Sequence, residues 1–473
     1  MHIMQIPSTE IVSHPLSFGD PNGRLFWWKG QLYRALDSER VPLYRRLFAN
    51  GTVPTLVEKG LLVDTEMTSL TLDGSPMIIR HREIPFVSYP FEWCTTMLRD
   101  AALAVIDIET ELAEHGLTLQ DAHPWNVLFD GPKPLNVDFG SIVPASVDAL
   151  WPAHEEYRRF FVHPLHLMVR GHGRIARWLL HDHEQGVLHS DFIALTRGPL
   201  RLRVGRLAVR VSSLARRYIP TPLRTLLSKV AMLLKSSRVA SVLLRSRRNF
   251  LKRIKQEVER IAIPPLQTEW SNYYEGALLP FSHSDDWTAK HSSVDRVLSD
   301  LRPASLLDVG SNRGWYAQLA ALRGSQVVAF DVDEACVTQL YLDSKEQKLS
   351  ILPLIMDFKN PSPGYGVCNQ WLAPATERLR CDMVLGLALV HHLVFKQHLN
   401  FGQIVDGLAI FSKRWLLVEF IPPDDIYVRE WWSARYSWYT LANFIAALKR
   451  RFGDVQQLPS HPAPRVLLLC ERS

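Results

Sequence analysis

The sequence predicts an α/β chain in two bodies: an α+β first half and a second half built on a mostly parallel seven-stranded sheet, joined by a basic helical segment. Three observations carry this. Over about the last 200 residues, apolar runs of strand length alternate with amphipathic runs of helix length, the pattern of a parallel sheet covered on both faces. Within that region LLDVGSNRGWYA, Leu306 to Ala317, places a strand, a glycine turn and a helix start in succession. Between Phe192 and Gln256 there is no Asp or Glu but 17 Lys and Arg, a break in composition that separates the halves. The boundaries read from it are 1–190, 191–263 and 264–473, with Pro264-Pro265 at the last junction.

In chain order, DPNGRLFWWKGQLYRAL reads as a hairpin, turning in at Asp20-Pro21-Asn22-Gly23 and turning again at Lys29-Gly30. A helix is expected around Leu43 to Phe48, then strands in LLVDTEM, SLTLDG and PMIIRHREI. YPFEWCTTMLRDAALAVIDIETELAEHG reads as one long amphipathic helix closed by Gly116. After it, LTLQDAHPWNVLFDGPKPLNVDFGSI sets Asp121 and Asn126 five apart, with Asp138-Phe139-Gly140 following.

Those loops resemble the catalytic and metal-binding loops of the protein-kinase-like fold, in its small-molecule phosphotransferase and aminoglycoside-kinase branch. The resemblance implies that Asp121 orients an acceptor hydroxyl, while Asn126 and Asp138 hold magnesium for Mg-ATP. The rest of the pattern is missing. Gly19 and Gly23 make a poor phosphate loop, no strand supplies the expected lysine, and Arg34 is not its equivalent. The expectation is a kinase-like module without strong phosphotransferase activity. The competing expectation is a bifunctional enzyme.

From Trp151 the chain reads as helices closing the first body, and His163, His166, His172, His181 and His183 have no metal-ligand spacing. In the basic segment, Leu and Val recur at helical spacing among the arginines, with breaks at Gly205 and Pro220 to Pro222. It is expected to form amphipathic helices bridging the two bodies, their arginines in water and the acidic remainder (6 − 17 = −11) as partner. Peripheral contact of residues 197–255 with an anionic membrane ranks second. Nucleic acid ranks last, because Tyr218 and Phe250 are too few aromatics for base stacking.

In the second half the glycine turn follows Asp308, and Gly310 and Gly314 let the backbone approach a ligand at a helix N-terminus. A second strand, QVVAF, ends in Asp331, from which an acid grips ribose hydroxyls. SILPLIM ends in Asp357, CDMVLGLALVHHL opens with Asp382 and leads to His391 and His392, and RWLLVEF ends at Glu419. As a set, DVGSNRG, FDVDE, Asp357 and CDMVLGLALVHHL resemble the motifs of class I S-adenosylmethionine-dependent methyltransferases, with a Rossmann-like sheet and an antiparallel edge. The resemblance implies S-adenosylmethionine as cofactor, held by Asp308, Gly310, Asn312, Gly314, Asp331, Asp357 and Asp382, and a small-molecule acceptor. His391, His392 and Glu419 are the candidates for work at the acceptor, the histidine pair being read first as capping the next helix and shaping the cofactor pocket. Trp270, Tyr273, Tyr274, Trp287 and Lys290 read as a flap before the sheet, and Trp431, Trp432, Tyr436, Trp438 and Tyr439 as an acceptor wall or core. A dinucleotide-binding oxidoreductase shares the turn and the ribose acid. The pairing of a kinase-like segment with this methyltransferase type resembles bacterial nodulation-type methyltransferases.

Composition fits an ordinary globular chain, 47% hydrophobic and 22% charged. MHIMQIPSTEIV lacks a secretory pattern, and no stretch approaches the ~18 apolar residues of a spanning helix. Cys94, Cys336, Cys368, Cys381 and Cys470 are scattered without CxxC spacing and read as reduced thiols. The expected location is cytoplasmic or peripheral to a membrane.

Overall fold

Strand β1 (Gly23–Trp28) runs into β2 (Gln31–Leu36) with Trp28 opposite Gln31, so only Lys29 and Gly30 make the turn. Both take positive φ, 49° and 72°, which matches the twist of the flanking strands. With β3 (Thr65–Met67), β4 (Ile78–His81) and the short strand Val12–Ser13 they form a five-stranded antiparallel sheet. The computed structural model describes residues 4–15, 17, 23–72, 74–146, 150–196, 237–271, 279–282 and 284–472. Gly19, Asp20, Pro21, Asn22, Gly205, Tyr218, Pro220, Pro222, Tyr273 and Tyr274 lie outside the described residues.

The long helix α1 (Thr95–Glu114) starts six residues later than the sequence suggests. Pro90 to Glu92 form a 3-10 turn instead, in which the Glu92 carboxylate accepts from the Tyr89 backbone N–H at 2.8 Å. That bond satisfies a donor the helix would otherwise leave exposed. The helix is followed by a hairpin of β5 (Val127–Asp130) and β6 (Lys133–Asn136), which delivers Asp138.

Of the basic stretch 197–255, the described residues lie in helix α2 (Ser237–Glu259), which packs on α1 of the first half. Leu251, Ile254 and Val258 are buried there. Arg247 stands on the same stripe, at i, i+4, i+7 spacing, and is only 6% exposed. The expectation that the arginines stay in water therefore fails at Arg247. Its guanidinium is ion-paired with the buried Glu109 and donates to the Leu117 carbonyl at 2.8 Å. Around it Lys255 meets Asp107 at 2.5 Å, and Arg248 pairs with Glu114. The acidic partner expected within the chain is α1.

The second half contains helix α3 (Ala289–Leu301), then β7 (Ser305–Val309), α4 (Trp315–Leu322), β8 (Gln326–Asp331), α5 (Glu334–Gln347), β9 (Ile351–Ile355), β10 (Cys381–Gly386), α6 (Val390–Phe395), α7 (Phe401–Phe411), β11 (Ser412–Phe420), β12 (Asp454–Pro459) and β13 (Val466–Glu471). The sheet order is β9-β8-β7-β10-β11-β13-β12. The five strands from β9 to β11 are parallel, and β13 pairs antiparallel with both β11 and β12. The antiparallel strand thus lies one place in from the edge, with β12 outside it. Crossover helices cover both faces, so the central strands read as continuous apolar runs.

The halves share a packed boundary. Arg378 and Glu92 form an ion pair whose side chains are 4% and 1% exposed, and Arg378 donates to the Val87 carbonyl at 2.6 Å. Thr95 donates through N and Oγ1 to Glu334, at 3.0 and 2.7 Å. Tyr341 donates to Asp100 at 2.8 Å. Among the described residues no helix is long and apolar enough to cross a membrane.

Candidate functional site

Parallel order brings the C-terminal ends of β7, β8, β9 and β10 to one edge of the sheet, where loops can converge on a ligand. Asp308 lies there, buried. Burial first, then the Asp331 charge, pushes its pKa up to about 7. The turn after it holds Gly310 and Gly314 at φ 69°, and a Cβ on Gly314 would meet Leu340 Cδ2 at 2.5 Å. Glycine is required there on both counts.

Asp331 is tied to this turn. One of its oxygens accepts from the Asn312 N–H at 2.8 Å and the other from the Asp333 N–H at 2.9 Å. Burial raises its pKa as well, against those two bonds. Asn312 also donates through Nδ2 to the Trp270 carbonyl at 3.2 Å, so Trp270 stands against the turn. Asp357 follows β9, two residues past the partner of Asp331, at the same edge. The Ser311 Oγ atom, and the Nε atom of the half-buried Arg313, are enclosed with no hydrogen-bond partner among the described residues. Three acids, a glycine turn and an unsatisfied Ser311 hydroxyl at one edge fit a ligand carrying an ammonium group and hydroxyls.

Asp382 is a correction. It opens β10 at the opposite edge, where its carboxylate accepts from the Ser305 N–H at 3.0 Å and its own N–H donates to Ser305 Oγ at 2.9 Å. Four residues of strand, roughly 13 Å at ~3.3 Å each, separate that edge from the turn. Asp382 holds two strand starts together and takes no part in the convergent site.

His391 and His392 follow β10, their rings 4.2 Å apart, and Trp431 lies nearly parallel to His391 at 6.0 Å. Trp270 meets His392 edge-on at 5.4 Å, linking the histidines to the glycine turn. Burial first, then His392, Arg465 and Lys290, pushes the His391 pKa down to about 2. The His392 pKa is lowered by burial and by Lys396. Both rings are neutral at physiological pH, and His391 is a weak base. Glu419 is fully buried and its oxygens are taken: Oε2 by Lys290 Nζ at 2.6 Å and the Ala388 N–H at 2.9 Å, Oε1 by Ser460 Oγ at 2.5 Å. It clamps α3 to the turn before α6. The expected aromatic wall divides. Tyr436 and Tyr439 are core, packed among Phe395, Phe401 and Phe420, while Trp431 lies beside His391 and Trp432 is exposed.

The first half has its own cleft, about 830 Å³, between the five-stranded sheet and the loops after α1. Asp121, Asn126 and Asp138 all line it. Asn126 Nδ2 donates to Asp121 Oδ1 at 2.5 Å, and Asp138 Oδ1 accepts from the Gly140 N–H at 3.1 Å. Burial first, then the Asp138 and Glu156 charges, pushes the Asp121 pKa up to about 6. Arg34, from the middle of β2, reaches Asp138 Oδ1 at 3.2 Å. Trp371 and Leu372, from the second half, complete the wall. The sequence pointed to Arg34 but not to its pairing with Asp138, and it gave no signal for His81, which sits in an ordinary strand pattern after Ile78 and Ile79.

The sheet order, the single antiparallel strand and the glycine turn flanked by acids have the form of the class I S-adenosylmethionine-dependent methyltransferases, the family that residues 264–473 resemble. The whole chain is similar to nodulation protein NoeA of Rhizobium meliloti (strain 1021), 26% identical over 97% of this chain and 95% of that one. No protein-family model matches. Among solved structures, WbdD overlaps 38% of this chain and 38% of its own at 14% identity and TM-score 0.29. A magnesium protoporphyrin IX methyltransferase of Synechocystis PCC 6803 with bound S-adenosylmethionine overlaps 38% and 79%, at 16% identity and TM-score 0.28. The N-methyltransferase NodS of Bradyrhizobium japonicum WM9 overlaps 38% and 93%, at 13% and 0.28. The chain spans well under two thirds of WbdD, and overlaps this slight carry no argument.

Proposed function

We propose that the second half is an S-adenosylmethionine-dependent methyltransferase acting on a small-molecule acceptor. The observation that carries the reading is the tie between Asp331 and the Asn312 N–H, which fixes a ribose-type acid against a glycine turn at the edge where Asp308 and Asp357 also lie. Asp308, Gly310, Asn312, Gly314, Asp331 and Asp357 would hold the cofactor, which supplies a methyl group on a sulfonium when bound. The chain's task is then alignment and exclusion of water. Trp270 and Trp431 flank the neutral His391–His392 pair and shape the acceptor side. The weak basicity of His391 favours a positioning role, and an acceptor that is already nucleophilic.

The antiparallel β13 speaks against the dinucleotide oxidoreductase alternative, whose six-stranded order is parallel. The first half is read as a kinase-like ligand-binding module, on the convergence of Asp121, Asn126 and Asp138 in one cleft. Similarity to a nodulation protein supports an acceptor among bacterial metabolites of that context. Radiolabelled methyl transfer from S-adenosylmethionine into lipid, sugar and small-metabolite extracts tests the reading. Label in a small-molecule fraction, lost in Asp331→Ala, supports it. Label in none, with extract-dependent oxidation of NADH instead, overturns it.

A further inference from the structure

The kinase-like reading of the first half implies metal chemistry, and the cleft there disagrees with it. Magnesium requires carboxylate and amide oxygens facing it. Asn126 meets this, because its amide nitrogen is turned to Asp121. Asp138 does not, because the Arg34 guanidinium is paired with Oδ1. Arg34 is 5% exposed and fixed in mid-strand. A lysine on its flexible stem would swing away and leave the carboxylate to a metal, but a planar, permanently charged guanidinium keeps the place.

The rest of the cleft says what it would take. Leu25, Leu32, Val63, Ile84, Leu128 and Val137 form an apolar slot suited to a flat ring. Arg34 stands at its charged end beside Asp138. His81 does not share that charge: burial first, then Arg34, pushes its pKa down to about 3. His14 is lowered by the same two causes.

We propose that this cleft binds a nucleotide, a flat ring joined to a phosphate chain, without a divalent cation, Arg34 supplying beside Asp138 the positive charge that the phosphates need. The proposal rests on the kinase-like reading of this half. Arg34 then reaches phosphate oxygens while staying paired with Asp138, as the multi-donor fork of a guanidinium allows.

Calorimetry of the full chain with ATP, in EDTA and in magnesium chloride at matched ionic strength, tests this. The expected dissociation constants agree within about threefold. Arg34→Met should weaken binding about tenfold or more, the loss of a charge-assisted pair. Asp138→Asn, which removes the competing counter-charge, should keep or tighten it. S-adenosylhomocysteine binding by the same preparations checks that each variant is folded, and if Arg34→Met fails that check, Asp138→Asn decides. Binding that needs magnesium and is weakened by Asp138→Asn overturns the inference but leaves the kinase-like reading standing. No ATP binding in either buffer overturns both.

Discussion

Asp308 shows how one side chain links ligand and pH. Its folded pKa of about 7 lies above the ~3.9 of an unfolded aspartate, so the folded chain holds a proton that the unfolded chain has lost. That stability is fully present below about pH 4 and lost as pH rises through about 7. Asp308→Asn should therefore stabilise the chain, relative to the parent, more at pH 8 than at pH 5 in thermal melts. A difference independent of pH would show that Asp308 does not titrate there. The ligand has the opposite dependence: S-adenosylhomocysteine presents an ammonium, and its affinity should rise between pH 6 and 8 as Asp308 ionises. The placement of Asp308 and Asp331 beside the glycine turn was legible because strand, turn and helix impose their spacing locally. That of Asp382 was not, since an acid opening a strand and one closing it look alike until the strand's direction in the sheet is known. Glu419 was misleading for a related reason, its partners Lys290 and Ser460 lying far off in the chain.

Helix α2 is a basic element held in place mainly by burial. Its exposed pairs contribute little, as surface ion pairs do. Arg247–Glu109 is different, because both groups are buried and Glu109 has its pKa raised by burial in spite of Arg247. Removing one partner leaves an uncompensated buried charge, so Glu109→Ala should cost about 3–5 kcal/mol in urea unfolding. The paired replacement Glu109→Leu with Arg247→Met should recover most of it. Equal losses in the single and double variants would contradict this account. Arg248→Ala, on the outer face, should leave the unfolding midpoint unchanged. The helix itself was legible from its apolar period, and so was an acidic partner within the chain. Which arginine turns inward was not, although Arg247 shares its stripe with Leu251, Ile254 and Val258.

Across the whole chain the two halves are one packed body. The Arg378–Glu92 pair is buried at their boundary, and Thr95, Arg177 and Glu334 form a second joint. Arg378→Met should therefore lower the melting temperature of both halves together, followed by tryptophan fluorescence and by ligand-induced shifts. Independent melting of the two would contradict a shared core. The strands of the second half were legible in chain order, but their spatial order in the sheet was not. The boundary between the halves was hidden, because its contacts join residues some 160 to 290 positions apart. Above all of this stands the claim that the sheet edge at Asp308, Asp331 and Asp357 binds S-adenosylmethionine. Calorimetry of the full chain with S-adenosylhomocysteine tests it most directly. Saturable one-to-one binding, weakened by about 1–3 kcal/mol in Asp331→Ala, is the predicted result. Tight binding of NADH with none of S-adenosylhomocysteine would contradict it.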